Sequence, residues 1–287
     1  MTGFMKLFKK KSSSTGEGDL VALGKLEECT GLESTTEYLD AQEFQRSEEL
    51  DEHIRQCADQ ACVKLKSTAL EQSEEWTVWS DKKKLAVQVK KTSESNTICG
   101  RGTYTWSDAP TGLNMEFVET VMWDENAKKK YDENTDSMVC FFTVDDDTNL
   151  TCQAFKGRFG FAGRYFHVVI HRRRETEGDT DRLILGARSL DENWLELAHQ
   201  HVDRDEARIK LDQIESKQVQ GFAYVAGIVI EHERKENVFR ITYVNDADIV
   251  TVGIPKWIID RVKLDQLSVV KNIPNVILEA WNNREQS

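Results

Sequence analysis

The sequence lacks any uninterrupted apolar run near the roughly 20 residues that a membrane-spanning helix needs, and its Met1–Phe8 stretch is too short for a signal peptide's apolar region. Membrane contact is therefore expected to be peripheral. Positive charge is also scarce: Lys plus Arg number 38 against 50 Asp plus Glu, a formal net charge of -12. That balance argues against a broad electropositive face, so no nucleic-acid partner is expected. Six cysteines (Cys29, Cys57, Cys62, Cys99, Cys140, Cys152) never fall at CxxC spacing, which excludes a zinc ribbon or a disulfide framework and reads as reduced thiols of a cytosolic protein. Gly100-Arg101-Gly102 lacks the rest of a phosphate-cradling pattern. No Gly-x-Ser-x-Gly elbow occurs, and no internal repeat is evident.

What is present suggests a tail followed by one domain. Residues 1–46 show no sustained apolar periodicity and are rich in Ser, Thr, Gly and Glu, which reads as a mobile tail; residues 47–287 read as a single folded unit. Glu48, Glu49, Asp51 and Glu52 crowd the start of a helix whose Leu50, Ile54, Ala61 and Leu65 recur at helical spacing. The period then changes to two. Strands are expected from Trp76, around Leu85–Val89 and Cys99–Trp106, and, after a short helix at Asn114–Trp123, over Ser137–Val144, Thr148–Phe155, Arg164–Arg172, Arg182–Ser189, Arg208–Ile214, Gly221–Ile230 and Val238–Val244. Asp145-Asp146-Asp147 reads as a solvated turn, and Arg172, Arg173 and Arg174 as a solvated or phospholipid-facing patch. A last helix from Ile254 to Trp281, with a break at Pro274, carries Trp257, Ile258, Val262 and Leu267 as the stripe to be buried. Strands that follow one another without alternating helices imply an antiparallel sheet, so the class is α+β: a curved sheet gripping a long C-terminal helix.

Several segments, in order, carry a resemblance to the START (StAR-related lipid-transfer) domain, a helix-grip fold of the Bet v 1-like kind. They are Trp76-Thr77-Val78-Trp79, Lys129-Lys130-Tyr131-Asp132, Gly163-Arg164-Tyr165-Phe166, Ala207-Arg208-Ile209-Lys210, Ile241-Thr242-Tyr243-Val244 and Gly253-Ile254-Pro255-Lys256-Trp257. The resemblance implies a tunnel for one lipid between the sheet and the final helix. Independently, alternation puts Phe166, Val168 and Ile170 on one strand face with Tyr165, His167 and His171 on the other, and groups Phe239, Ile241 and Tyr243. Lipid contacts are accordingly expected from Asp132, Gln153, Phe166, Val168, Ile170, Phe239, Ile241, Tyr243, Ile254, Trp257 and Ile258. Sterol-type members keep an arginine six residues after that of the Arg-Asp-Phe strand, where this chain has Ile170. Ceramide-type members keep polar groups where Asp132 and Gln153 stand, but the asparagine expected near Ala187 is missing. The ligand expected is ceramide-like or a glycerophospholipid rather than a sterol.

The tail carries two further signals. Glu37-Tyr38-Leu39-Asp40-Ala41-Gln42-Glu43 resembles the FFAT peptide bound by VAP-type receptors at the endoplasmic reticulum, departing from it at Leu39. An aromatic anchor among acids suits an electropositive groove. Ahead of it, Phe4, Lys6, Leu7, Phe8, Lys9, Lys10 and Lys11 mix apolar and basic side chains without an acid, which suits transient contact with an anionic membrane. Enzyme readings fare less well. His167 and His171 would stand about 14 Å apart along a strand, His199 and His201 fall in an expected loop, and neither pair has companions at metal spacing. No catalytic residue, metal or cofactor is expected. The competing readings are a hydrolase or cyclase using the same cavity, with Asp132 and Tyr243 its only candidate groups, and a lipid-gated scaffold. A carrier would open at the final helix and the adjoining segment Asp246–Val252.

Overall fold

A computed structural model describes residues 48–284, apart from Lys83, Ser93, Asn96, Glu125, Phe159, Asp203, Arg204 and residues 250–254. The basic start, the acidic 37–43 peptide and Ile254 lie outside the described residues. Helix α1 (Glu48–Leu70) opens on three acids and buries Leu50, Ile54, Ala58, Ala61, Cys62 and Leu65 along one side. Its last turn has no basic residue of its own. Arg101, 5% exposed, supplies the missing cation from the sheet: its Nη1 donates to the carbonyls of Thr68, Ala69 and Glu71 at 3.1, 3.1 and 2.8 Å. The guanidinium also lies 4.2 Å over the Trp76 ring. The orphan carbonyls at a buried helix end thus gain both donors and a favourable charge.

Strands β1 (Thr77–Lys82), β2 (Leu85–Lys91) and β3 (Ile98–Trp106) form a meander, followed by α2 (Met115–Trp123), capped by the Asn114 side chain, and the short α3 (Ala127–Tyr131). Four more strands come next: β4 (Thr135–Asp145), β5 (Thr148–Phe155), β6 (Arg164–Glu177) and β7 (Thr180–Ser189). Helices α4 (Glu192–Gln200) and α5 (Asp205–Glu215) lead to β8 (Val219–Glu233) and β9 (Val238–Ile249). The nine strands form one sheet in the order β1-β2-β3-β9-β8-β7-β6-β5-β4, antiparallel except for a short parallel β6–β8 contact. The chain closes with α6 (Lys256–Leu267), a 3₁₀ turn at Ser268–Asn272 and α7 (Ile273–Arg284). This is the α+β helix-grip arrangement expected from the strand-rich pattern.

Two layers cover the sheet. On one face Leu50 and Ile54 of α1, Leu195 of α4 and Leu211 of α5 pack with Leu150 and Val169. On the other, Val118 and Met122 of α2, Leu264 and Leu267 of α6 and Trp281 of α7 pack with Leu183, Ile228, Phe239 and Ile241. Helix α6 reaches the sheet at two glycines. A Cβ at Gly100 would stand 2.4 Å from Leu267 Cδ1, and one at Gly102 would stand 2.3 Å from the Leu267 carbonyl oxygen. The helix is also tethered by Lys263, 2% exposed, which donates to Thr97 Oγ1 and, at 3.0 Å, to the Ile98 carbonyl. Among the described residues no helix is long and apolar enough to cross a membrane.

Five local expectations need correction. Arg208–Ile214 is helical, because Ala207, Leu211 and Ile214 are buried at spacings of four and three with acids in the first turn. His199 belongs to α4 rather than a loop; only Leu195 and Ala198 of that helix are buried, so its apolar signal is faint. The buried side of α6 is Ile259, Leu264 and Leu267, while Trp257 is 71% exposed. The helix breaks before Pro274, which sits in the first turn of α7 where its missing N–H costs nothing. The arginine run is not a free patch either: Arg172 and Arg174 reach Glu119 at 3.5 and 3.4 Å, and Arg173 pairs with Asp59.

Gly102→Ala should lower stability by about 1 to 3 kcal/mol, since the added methyl meets backbone that cannot yield. Gly100→Ala, which meets only the end of a leucine side chain, should cost less; urea denaturation of both variants measures the difference.

Candidate functional site

Between the sheet and the covering helices lies a cavity of about 440 Å³. It follows from a run of small side chains. Ala187 of β7 stands opposite Ala226 of β8, and Ala223 of β8 opposite Ala247 of β9, so that alanines from three neighbouring strands face the same space. Where the same face carries Leu183, Ile230 and Ile241 instead, the interior is filled. A bulge between Ala223 and Val225 keeps Ala223 and Ala226 on one side of their strand. Phe166, Val168 and Ile170 of β6 form a wall, Met138, Phe142 and Phe155 continue it, and Val262 and Gln266 of α6 cover it. The exposed lining residues Asp124, Thr143 and Lys156 mark where the cavity meets the surface.

The polar part of the lining is unevenly charged. Lys128, Lys156, Arg158 and Arg164 contribute four cations and Asp124 the one acid, in a protein whose net charge is -12. Lys128 Nζ donates to Gln153 Oε1 and lies 5.1 Å over the Phe155 ring. Burial pulls its pKa down from the ordinary lysine value to about 8, partly opposed by Asp132. The phenols of Tyr131 and Tyr243, both lining residues, are pushed up, mainly by burial, and remain donors at neutral pH. Asn245 donates to Gln266 Oε1 at 2.8 Å, which ties β9 to α6 across the cavity, while its own Oδ1 and Thr151 Oγ1 are buried without a hydrogen-bond partner. Near the rim, Arg158 approaches Asp265 of α6 at 4.0 Å and donates to Asn134 Oδ1.

Of the residues singled out in the sequence, Gln153, Phe166, Val168, Ile170 and Tyr243 line this space. Phe239 and Ile241 share the strand face of Tyr243 but stand in the filled part of the core, with Phe239 stacked on His232 at 4.0 Å. Asp132 is buried directly after α3, as its C-cap, and its Oδ1 accepts the Asn134 N–H at 3.0 Å. It is not one of the residues that line the cavity, although its charge adds to the burial that raises the Tyr243 pKa. Trp257 points to solvent and Ile258 is half-buried outside the lining. Sequence reasoning missed Lys128, Thr151, Asn245 and the alanines. The usable signal was the small-residue pattern Ala223, Ala226, Gly227, Ala247 in strands otherwise rich in large apolar side chains.

A second group appears on the opposite face. His167 of β6 and His199 of α4 pack edge to face with centroids 4.7 Å apart, and Glu215, the last residue of α5, approaches His167 Nε2 at 3.1 Å. Burial and the neighbouring His199 push the His167 pKa down to about 3, so its ring is neutral. The carboxylate companion that sequence spacing did not offer arrives through tertiary structure.

No protein-family model matches the sequence, and no curated protein matches it. Solved structures do. Human StAR-related lipid transfer protein 5 superposes with a TM-score of 0.63 at 12% identity, covering 80% of this chain and 98% of that one. Human STARD10 gives 0.56 at 16% identity, covering 79% of this chain and 82% of that chain. The human StarD13 (DLC2) lipid transfer and protein localization domain gives 0.51 at 14% identity, with 75% and 95% covered. At these identities the likeness is one of fold: the domain has the START-type helix-grip architecture.

A lysine whose folded pKa lies below its unfolded value destabilises the protein while both states are protonated, and that deficit fades as pH rises from about 8 towards the ordinary lysine value. Lys128→Met should therefore raise stability over the parent most at pH 7 and progressively less by pH 10. Denaturation of both proteins across that range checks it; taking the difference cancels the opposing titration of the buried cysteines.

Proposed function

We propose that this protein is a lipid carrier that holds one lipid with an anionic headgroup, a glycerophospholipid before a ceramide-like lipid or a sterol, and passes it between membranes. The observation that carries this reading is an internal cavity, more apolar than polar, whose charged lining residues are four cations to one acid, with Lys128 and Gln153 set against one wall. At about 440 Å³ it falls within the range of about 300–1,000 Å³ typical of small-ligand sites. Burial of an acyl chain there would contribute about 25 cal/mol per Å² of apolar area withdrawn from water. An anionic headgroup would add a charged partner to the amide and ring that the Lys128 ammonium already contacts, and Thr151 Oγ1 and Asn245 Oδ1 could accept from its donors. The names of two of the similar structures refer to lipid transfer, which supports the reading, although a fold alone does not carry an activity.

Uptake needs no covalent step. Helix α6 is the cover to move: it is held over the cavity by the Asn245–Gln266 hydrogen bond and by the approach of Arg158 to Asp265, and it presents the exposed Trp257, a side chain suited to a membrane interface. On the same reading the acidic 37–43 peptide tethers the chain to a VAP-type receptor at the endoplasmic reticulum and the basic 1–11 segment touches an anionic leaflet. Those contacts would keep a cytoplasmic protein at membranes without inserting it.

Vesicle assays test the carrier reading. Labelled phosphatidylserine or phosphatidic acid should move from donor to acceptor vesicles without chemical change. Ala226→Phe, which fills the cavity, should cut the rate at least about tenfold while far-UV circular dichroism is unchanged. Transfer undiminished in that variant would contradict the proposal, and hydrolysed product would identify an enzyme. Headgroup binding should also weaken as pH rises from 7 to 9, when Lys128 loses its proton, and Lys128→Met should remove that dependence.

A further inference from the structure

The group formed by His167, His199 and Glu215 lies away from the cavity, on the face of the sheet covered by α4 and α5. One ligand atom from each residue falls within 4.8 Å of the others. The residues come from three elements: a strand, the end of one helix and the end of the next. His167 is almost wholly buried, and neither of its ring nitrogens has a hydrogen-bond partner; His199 Nε2 and Glu215 Oε1 are likewise buried and unpartnered. His167 Nε2 and Glu215 Oε1 are 3.1 Å apart yet not aligned as a hydrogen bond. Buried polar atoms are satisfied in the great majority of cases, so three unsatisfied donor or acceptor atoms converging on one point call for a common partner.

We propose that these three residues form a metal site that takes Zn²⁺, with two imidazole nitrogens and one carboxylate oxygen as protein ligands and water in the fourth position. Two histidines and a glutamate are an established donor set for zinc, and one carboxylate against a divalent ion leaves the site with a single positive charge. Coordination number is limited by the surroundings. Phe141 packs edge-on against both rings, with centroids 5.6 Å from His167 and 5.2 Å from His199, and Tyr165 packs against His167 at 5.2 Å. Those walls disfavour the six-ligand shells of magnesium or calcium and suit four. Donors around a tetrahedral zinc stand about 3.3 Å apart, given bonds of about 2.0–2.1 Å. The His167–Glu215 pair is already near that spacing. A wider pair closes by rotation of the His199 and Glu215 side chains, both at helix ends, and the part-exposed Glu215 gives the ion its way in. Binding would pin α4 and α5 to β6. This inference does not rest on the carrier reading.

Calorimetric titration of the full, tag-free chain with Zn²⁺ after chelator treatment should give one saturable site per chain. Co²⁺ in its place should give the intense visible bands of four-coordinate cobalt. His199→Gln and Glu215→Gln should each weaken zinc binding at least about tenfold and abolish the cobalt bands, while His171→Gln, on the same strand but hydrogen-bonded to Thr148, should change neither. No saturable zinc binding by the parent protein, a six-coordinate cobalt spectrum, or equal affinity in the His199 and Glu215 variants would overturn the proposal. The parent titration and spectrum decide it even if a variant fails to fold.

Discussion

A curled sheet has a concave face that a covering helix cannot touch along its whole length, and this constraint shapes the rest of the molecule. Helix α6 meets β3 where Gly100 and Gly102 remove the side chains that would hold it off, and the buried Lys263 ties its middle to the start of that strand. Further across the sheet the strands curve away. There the chain has two ways to fill the gap. It uses large side chains near Phe239, Ile241 and Trp281, giving a solid core, and alanines at Ala187, Ala223, Ala226 and Ala247, leaving a hollow. An interior void forfeits the packing that its lining atoms would otherwise gain, so a hollow of this size is a cost that a purely structural core would avoid.

The cavity's charge follows from the same geometry. Lys128 sits on the short α3 beneath the β5 wall, where its amino group finds an amide and an aromatic face instead of a carboxylate. Lys128, facing an apolar space within an acidic protein, contrasts with Arg172, Arg173 and Arg174 of β6, each of which has an acid close by. The contrast separates surface charges that balance one another from a lining ammonium whose contacts are an amide and a ring. It also explains why the headgroup preference could not be read from Asp132, which turns its carboxylate to a backbone amide of its own loop.

Much of the fold was legible because the strands follow period two and the first helix follows period 3.6 without conflict. The failures have a common physical origin. In α4 and α5 only two or three residues are buried, too few for a short helix to declare its period, so the sequence pattern reads one as a loop and the other as a strand. In α6 the apolar side chains are distributed around much of the helix, and sequence alone favoured a stripe containing Trp257 over the one that includes Ile259 and Leu264. The site divides in the same way. Alternation along β6 was enough to find Phe166, Val168 and Ile170, since strand geometry assigns faces unambiguously. Depth along a strand is not encoded in alternation, so Phe239 and Ile241 could not be told from Tyr243. The meeting of His167 with His199 and Glu215 depends on how two helices pack back on the sheet, which no local spacing records.

The central claim is that the hollow opposite the four alanines holds a single lipid. Native mass spectrometry of the protein, purified gently from lipid-containing cells and compared with its Ala226→Phe variant, tests that most directly. The account predicts a species carrying one phosphate-bearing lipid per chain in the parent protein and none in the variant. A parent protein free of lipid after equilibration with vesicles, or a variant that retains the same adduct, would contradict it.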